Sequence, residues 1–262
     1  MSEPKIQGRL TGRVAVVTGG ASGSGAAICE EFVKQGATVY VADRDYQRAS
    51  ALSELLSKHG KIFPIAIDIT DSKLVNAAAD EILKKEGTVD ILVNNAGVRV
   101  IKSFMQHTDE EWHAMLDVNL TGHFYCARAF APAMVKKGWG RIINIASIAS
   151  FVGRPDRVAY CAAKAGALGL TRGIAIDLRH TGVTANAIAP GSIATPLNSS
   201  AKSDENLDWG GETLVGRWGV GRDVALAAVY LASEDASYVN GTTLTVDGGW
   251  VSGKARDGEI LT

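Results

Sequence analysis

Thr18-Gly19-Gly20-Ala21-Ser22-Gly23-Ser24-Gly25 is a glycine-rich stretch that joins a short apolar run to a longer amphipathic one. The apolar run Val14–Val17 predicts a buried strand, and residues 26–35 predict a helix that ends at Gly36. Glycines let the backbone approach a pyrophosphate closely, and a helix N-terminus offers free N–H groups and a partial positive charge. A plain strand–helix turn is the alternative, but this context favours the phosphate-binding turn of a dinucleotide site.

The rest of the chain repeats this alternation of short apolar runs and longer amphipathic ones. The predicted strands cover residues 14–17, 38–42, 62–67, 89–93, 141–146, 183–189 and 243–246. The predicted helices cover residues 26–35, 47–58, 72–86, 108–135, 158–180 and 223–232. Strands that are apolar on both faces belong to a parallel sheet between two layers of helices. We therefore expect a doubly wound α/β sheet that binds its ligands at the carboxyl ends of the strands.

No repeat and no Pro/Ser-rich linker divides the 262 residues, so we expect one domain, residues 1–262, that binds the dinucleotide and carries the catalytic groups. Within it, residues 10–250 are the predicted core, residues 197–214 a predicted substrate lid and residues 251–262 a C-terminal tail. The lid segment collects Asn, Asp and Glu around Trp209, which suits a sugar and suits a solvated loop equally well.

Composition and charge exclude several other classes of protein. The 27 basic residues against 28 acidic residues leave no electrostatic footprint for nucleic acid. No run approaches the roughly 20 apolar residues of a membrane helix, and Met1–Lys5 lacks the apolar core of a secretion signal. We therefore expect a cytoplasmic protein with no membrane partner. The three cysteines and five histidines show no ligand spacing, so no metal site is predicted.

Asp43 ends the second predicted strand, at the place where dinucleotide folds bind the adenosine ribose. A carboxylate there can accept both ribose hydroxyls and repels the additional phosphate of NADP, so Asp43 predicts NAD as the cofactor. Two alternatives stay open. Asp43 could be a solvated residue that starts a turn, and the neighbouring Arg44 could tolerate a phosphate.

Asn94-Asn95-Ala96-Gly97 follows the fourth predicted strand. Two side-chain amides and a turn of small residues can cap the exposed strand ends and form a floor beneath the adenosine. Taken alone, the tetrapeptide is equally consistent with a plain turn.

Ser147, Tyr160 and Lys164 form a candidate catalytic group. Tyr160 and Lys164 are four residues apart in a predicted helix and therefore share a face, and Ser147 follows the fifth predicted strand. A lysine there can lower the phenol pKa from about 10 toward neutrality, and such a phenol can exchange a proton with an alcohol or ketone oxygen. The Ser147 hydroxyl can bind the same substrate oxygen. The group predicts hydride-transfer chemistry at a carbonyl or secondary alcohol.

Taken together, these residues resemble the short-chain dehydrogenase/reductase family over Leu10–Trp250. The motifs that carry the resemblance are Thr18-Gly-x-x-x-Gly-x-Gly25, Asp68, Asn94-Asn-Ala-Gly97, Asn119, Ser147, Tyr160-x-x-x-Lys164 and Pro190-Gly191-Ser-Ile-Ala-Thr195. The family implies a single Rossmann-type, doubly wound parallel sheet of about seven strands with helices on both faces. Its members commonly form homotetramers through the two long helices, here residues 108–135 and 158–180, so we expect a homotetramer.

The resemblance also implies a role for each site residue. Ser147 would orient the substrate oxygen, Tyr160 would transfer the proton, and Lys164 would bind the nicotinamide ribose and lower the phenol pKa. Asn119 would hold a water that links Lys164 to solvent. The implied cofactor-binding residues are Gly19, Ser22, Gly23, Ser24, Gly25, Asp43, Asp68, Ile69, Asn95, Tyr160, Lys164, Ile193 and Thr195. Ser24 departs from the family, which usually has an aliphatic residue at that position.

Three hypotheses for the function follow. The first is an NAD-dependent dehydrogenase of a polyol, sugar or sugar acid, because the chain resembles such enzymes in Ala187–Gly191, Gly216–Gly219 and Tyr238–Gly241. The alternative is a 3-oxoacyl thioester (acyl carrier protein) reductase, which Asp43 disfavours because those enzymes mostly prefer NADPH. A non-catalytic NAD-sensing binding protein is a remote alternative. Such a protein would be free to lose Tyr160 or Lys164, and this sequence contains both.

Three arginines are candidates for pairing with a substrate carboxylate. Arg99, Arg154 and Arg157 flank the ends of predicted strands, and a surface or interface role is the alternative for each of them.

Overall fold

Seven parallel strands in one sheet form the centre of the protein in the computed structural model, which describes residues 8–198 and 212–253. The strands are β1 (Val14–Thr18), β2 (Thr38–Asp43), β3 (Ile62–Ala66), β4 (Ile91–Asn94), β5 (Gly140–Ile145), β6 (Val183–Pro190) and β7 (Thr243–Val246). They are hydrogen-bonded in the order β3-β2-β1-β4-β5-β6-β7. The order reverses between β1 and β4, so a crevice opens at the carboxyl ends of these two strands. The predicted fold class is confirmed.

Helices cover both faces of the sheet. They are α1 (Gly23–Lys34), α2 (Tyr46–Leu56), α3 (Ser72–Glu86), α4 (Asp109–Leu116), α5 (Gly122–Lys137), α6 (Val158–Asp177) and α7 (Gly221–Ala232). Helices α1, α2 and α7 pack on one face, and α3, α5 and α6 pack on the other. Along β1, Ala15 and Val17 point to the first layer, while Val14 and Val16 point to the second. Both faces are apolar because both are buried.

The helix predicted as one element over residues 108–135 is divided in the structure. Helix α4 is followed by one π-helical turn at Asp117–Thr121, and α5 continues from Gly122. A π turn contains an extra residue per turn, and it redirects the side chains that it carries. One of these side chains is the buried Asn119, so the irregular turn lies where the sequence predicts a functional residue.

The other elements begin and end within a few residues of their predicted bounds. The helix predicted at 26–35 begins at Gly23, because the glycine-rich turn leads directly into it. The helix predicted at 158–180 ends at Asp177, and His180 has a left-handed φ of 65° that a helix does not tolerate. Most of the predicted lid and tail, residues 199–211 and 254–262, lies outside the described residues. The division into core, lid and tail therefore stays a prediction.

Candidate active site

A cavity of about 580 Å³ opens at the carboxyl ends of the strands, at the reversal of strand order between β1 and β4. The residues predicted from the sequence that line it are Gly19, Ser22, Gly23, Ser24, Asp43, Asp68, Ile69, Asn95, Asn119, Ser147, Tyr160, Lys164, Ile193 and Thr195. They come from the loops that follow successive strands and from two helical segments. The fold therefore brings the predicted cofactor-binding and catalytic residues to one cavity.

Gly25 lies behind the wall of this cavity. A Cβ at Gly25 would lie 2.2 Å from the carbonyl oxygen of Gly19 and 2.5 Å from Nδ2 of Asn95. Real Cβ atoms do not approach so closely, so α1 packs against the glycine-rich turn only because Gly25 has no side chain. Helix α1 carries no acidic residue in its first turn, so the positive end of its dipole is not offset there. The cradle suits a pyrophosphate.

Asn95 holds the glycine-rich turn in place from the end of β4. Its Nδ2 donates to the carbonyls of Thr18 (2.9 Å) and Gly19 (3.0 Å). In return, the Thr18 hydroxyl accepts from the backbone N–H groups of Asn95 (3.0 Å) and Ala96 (3.1 Å). The Asn94–Gly97 turn thus caps the strand ends, as one of the sequence interpretations has it.

Two carboxylates lie along the other end of the cavity. Asp43 accepts from the backbone N–H groups of Ala21 (3.1 Å) and Asp45 (3.0 Å), which orients its carboxylate at the end of β2. Asp68 accepts from the backbone N–H and the hydroxyl of Thr70. These two bonds, together with the charge of Arg44, hold the pKa of Asp68 below its ordinary value. This end of the cavity can therefore accept hydrogen bonds from a nucleoside.

Ser147 and Tyr160 both line the cavity and share a hydrogen bond. Burial raises the pKa of the Tyr160 phenol, and the hydrogen bond with Ser147 lowers it, as do the charges of Arg99 and Arg157. The balance leaves the pKa of Tyr160 above its ordinary value, which differs from the lowering by Lys164 that the sequence predicts. The physical reason is that Lys164 donates to the carbonyl of Ile145 (2.7 Å), and its Nζ lies 5.8 Å from the centre of the Tyr160 ring.

Lys164 itself is almost fully buried, and burial lowers the pKa of its ammonium to about 7. Asn119 holds the backbone beside it: its Nδ2 donates to the carbonyls of Val98 and Met115, both at 3.0 Å, and its Oδ1 accepts from Val98 N–H at 3.3 Å. A Cβ on Gly97 would lie 2.9 Å from Asn119 Oδ1 and 3.5 Å from Lys164 Nζ. Asn119 and Lys164 therefore both lie against Gly97, and all four residues of the predicted quartet line the same cavity. A water held by Asn119 stays a prediction.

The chain is similar to several known proteins. A family model for enoyl-(acyl carrier protein) reductase matches residues 19–251. The 3-oxoacyl-[acyl-carrier-protein] reductase FabG of Haemophilus influenzae is 38% identical over 240 residues, which is 92% of this chain and 98% of that protein. Gluconate 5-dehydrogenase of Burkholderia cenocepacia J2315, solved with NADP and tartrate, is 36% identical, with a TM-score of 0.90 over 94% of this chain and 97% of that one.

The chain belongs to the short-chain dehydrogenase/reductase family. It is an NAD(P)-dependent oxidoreductase that acts on CH–OH groups. Both the predicted family and the predicted reaction class are confirmed. The similar proteins differ in their named substrates, so membership of the family defines the chemistry and leaves the substrate to the loops.

Sequence analysis of this short-chain dehydrogenase/reductase missed a buried polar network beneath the Asn94–Gly97 turn. Asn94 Nδ2 donates to Asn144 Oδ1 (2.8 Å), and Asn144 Nδ2 donates to Thr171 Oγ1 (2.9 Å). Burial lowers the pKa of His123 to about 3, so its neutral ring donates from Nε2 to the Ala96 carbonyl at 3.0 Å. These residues are far apart in the sequence and have no motif spacing, so only their position in the fold connects them.

The described part of the dehydrogenase contains no group of three His, Cys, Asp or Glu side chains arranged to hold a metal ion. None of the helices in that part has the length and the apolar character that crossing a membrane requires.

The burial of Lys164 should make the free energy of unfolding of the protein depend on pH. The pKa of Lys164 is about 7 in the folded protein and returns to about 10.4 in the unfolded chain, which therefore binds more protons between these values. The contribution of Lys164 to the free energy of unfolding thus rises with pH across this window. We expect this free energy to rise less steeply in Lys164→Met, by at most about 1.4 kcal/mol per pH unit. Urea denaturation at intervals through the window measures the slopes.

Lys58, which is exposed, provides the matched control. The Lys58→Met variant should follow the wild-type slope. Parallel slopes for wild type and Lys164→Met would show that Lys164 keeps its charge when the chain folds.

Proposed function

We propose that the protein is an NAD-dependent dehydrogenase of a small, multiply hydroxylated secondary alcohol, such as a polyol, a sugar or a sugar acid. The observation that carries the proposal is one continuous cavity with the Asp43 carboxylate at one end and the Ser147–Tyr160 pair at the other. This arrangement would bind a dinucleotide along its length and an alcohol beside the phenol.

The cavity fits a dinucleotide in its shape and in its donors and acceptors. The N-terminus of α1 would hold the pyrophosphate, Asp43 the adenosine ribose, and Asp68 with Ile69 the adenine. Ile193 is buried and bridged to Gly219, and Thr195 lies close to Gly23 of the glycine-rich turn. From there the segment 193–195 would meet the carboxamide. When bound, the nicotinamide accepts or supplies the hydride.

The proton would be handled by the chain's own residues. Ser147 would bind the substrate oxygen, and Tyr160 would take the proton from that oxygen during oxidation or return it during reduction. Lys164 lies one helical turn beyond Tyr160, where it would bind the nicotinamide ribose beside the phenol. Asn119 would position the Gly97–Val98 backbone next to Lys164.

The choice of NAD over NADP rests on Asp43. Its two backbone hydrogen bonds fix a negative charge at the end of β2, and the additional phosphate of NADP would be repelled there. Two observations favour NADP instead: Arg44 lines the same cavity, and the similar gluconate 5-dehydrogenase was solved with NADP. The preference for NAD is therefore a part of the proposal that an experiment can contradict separately from the reaction.

Likeness to gluconate 5-dehydrogenase supports a polyol, sugar or sugar acid as the substrate. One observation favours a second candidate. The similar curated relatives act as 3-oxoacyl-[acyl-carrier-protein] reductases, at up to 38% identity. A thioester reductase therefore stays the alternative, and a substrate panel separates the two.

Removing the phenolic hydroxyl tests the proposed acid/base. We expect Tyr160→Phe to lower kcat by about two to four powers of ten, which is the usual contribution of acid–base catalysis. NADH affinity, measured by fluorescence titration, should stay within about twofold because the ring remains in place. Tyr238→Phe, at a fully exposed tyrosine, should keep wild-type turnover. Wild-type turnover in Tyr160→Phe would remove Tyr160 from the mechanism, whereas a wild-type protein that binds NADH and turns over no substrate of the panel would agree with a non-catalytic binding protein.

The preference for NAD over NADP tests the role proposed for Asp43. We expect kcat/KM with NAD to exceed that with NADP by about tenfold to a thousandfold, since two negative charges would meet at the half-buried Asp43 and each factor of ten corresponds to about 1.4 kcal/mol. Asp43→Asn should reduce this ratio, because it removes the charge and keeps the shape. Equal wild-type values would mean that Arg44 accommodates the phosphate. In that case Arg44→Gln should restore a preference for NAD.

A substrate panel with both cofactors tests the proposed substrate class. Polyols, aldoses and sugar acids should exceed simple aliphatic and aromatic alcohols in kcat/KM by about 100-fold, since an apolar analogue leaves buried polar groups without partners. The panel includes acetoacetyl-CoA as the thioester. If the thioester or a hydrophobic ketone is the best substrate, the sugar-type assignment is wrong.

Exposed apolar side chains on α5 and α6 support the proposed homotetramer. Phe124 and Val135 on α5 and Ile176 on α6 face outward, and covering them would remove apolar surface from water. We expect mass photometry at micromolar concentration to show four times the 27.5 kDa of one chain. Phe124→Lys should shift the distribution to smaller species, whereas Leu55→Lys on α2 should not. A monomer in the wild type would refute the tetramer. The cytoplasmic location stays a prediction.

A further inference from the structure

Three arginines meet beside the catalytic tyrosine, although they come from two separate segments of the chain. Arg99 follows β4, whereas Arg154 and Arg157 follow β5. A backbone hydrogen bond from Lys102 N–H to the Asp156 carbonyl (2.8 Å) ties the two segments together. Asp156 adopts a left-handed φ of 57°, which is unfavourable for a residue with a side chain. The two segments are therefore held together in a specific arrangement, next to Val98 and Tyr160, which line the cavity.

Each guanidinium is positioned by its surroundings. Arg99 Nη2 donates to the Leu197 carbonyl (2.7 Å), which lies in the segment after β6. The Arg154 guanidinium lies 4.8 Å from the centre of the Trp250 ring, in the segment after β7. Arg157 Nη1 donates to the Pro155 carbonyl (2.8 Å). Segments from the ends of four strands thus meet around these three side chains, which are all half-buried.

The charges of these arginines act on one another and on Tyr160. Burial lowers the pKa of the Arg99 guanidinium, and the charge of Arg157 lowers it further. The same two causes act, in the same order, on the pKa of Arg154, and Glu212 opposes them there. The charges of Arg99 and Arg157 also reach the phenol of Tyr160. An anionic group bound beside Tyr160 would meet these positive charges and the N–H donors of the guanidinium groups.

We propose that Arg99, Arg154 and Arg157 form a subsite that binds the carboxylate of a hydroxy-acid substrate, while the reacting hydroxyl of that substrate lies at Tyr160 and Ser147. The inference rests on the proposed function and narrows its substrate class to small hydroxylated acids. A planar guanidinium binds a carboxylate through two parallel hydrogen bonds, so the subsite fixes both the position and the orientation of the acid. A phosphate group has the same oxyanion chemistry, and the experiment must separate the two.

A binding experiment isolates the carboxylate from the rest of the substrate. Tartrate and its neutral four-carbon counterpart erythritol are titrated calorimetrically into the wild-type protein loaded with NADH. We expect tartrate to bind about ten- to a hundredfold more tightly, as charge-assisted hydrogen bonds allow. Arg157→Gln should remove most of this difference: it should weaken the binding of tartrate and leave the affinity for erythritol within about twofold of the wild-type value. Arg157→Lys should be intermediate, because it keeps the charge and loses the paired donors.

Arg179→Gln is the matched control, since Arg179 is exposed beyond the far end of α6. It should leave the affinity for both ligands unchanged. NADH affinity is measured for every variant to show that the cavity is intact, and Arg99→Gln replaces Arg157→Gln if the latter does not fold. Equal affinity of the wild type for tartrate and erythritol, or equal weakening of both ligands by Arg157→Gln, would overturn the subsite.

A kinetic experiment separates failure of this inference from failure of the proposed function. Aldonates of three to six carbons are compared with the matching alditols, with glucitol 6-phosphate and with acetoacetyl-CoA. We expect aldonates to have the highest kcat/KM, and Arg157→Gln to raise KM for aldonates by about tenfold or more with little change for alditols. If alditols and aldonates have equal kcat/KM, the carboxylate subsite is wrong and the proposed function still stands. If glucitol 6-phosphate has a higher kcat/KM than the aldonates, the arginines bind phosphate and not a carboxylate. If acetoacetyl-CoA has the highest kcat/KM, the proposed function itself is wrong.

Discussion

The hydrogen bonds between the ends of β1 and β4 are the constraint on which the rest of the site depends. The strands that flank this pair continue in opposite directions across the sheet, so the loops after β1 and β4 diverge and leave a crevice. The Asn95 amide satisfies the carbonyls of Thr18 and Gly19, and the Thr18 hydroxyl satisfies two N–H groups in the opposite loop. Gly25 then lets α1 pack against this junction, so that the helix N-terminus points into the crevice.

Burial controls the chemistry of the same crevice, because a charge is costly where water is excluded. Lys164 is buried next to backbone carbonyls, and its pKa falls to about 7, while His123 beneath the Asn94–Gly97 turn stays neutral and serves as a hydrogen-bond donor. Burial acts on the Tyr160 phenol in the opposite direction, and the positive charges around it partly offset that effect. The protonation of each group therefore depends on its neighbours in space more than on its spacing in the sequence.

Similarity to known proteins identifies the fold and the reaction class of this chain but not its substrate. A 3-oxoacyl-[acyl-carrier-protein] reductase and a gluconate 5-dehydrogenase are almost equally similar to this chain, at 38% and 36% identity. Both share the sheet and its reaction class with it, and neither degree of identity decides the substrate. The segments after the strands differ most between such proteins, and in this chain they carry the residues to which we assign the cofactor and the substrate, Asp43 and the arginines beside Tyr160.

The sequence by itself determined the alternation of strands and helices, the glycine-rich turn that leads into α1, and the candidates Ser147, Tyr160 and Lys164, because periodicity and short motifs are local properties of the chain. Only the tertiary structure decided the π turn that directs Asn119, the Asn94–Asn144–Thr171 network, and the meeting of Arg99 with Arg157. It also decided that burial holds the pKa of Tyr160 above its ordinary value. These features depend on contacts between residues far apart in the sequence and on the exclusion of water, and no local pattern encodes either of them.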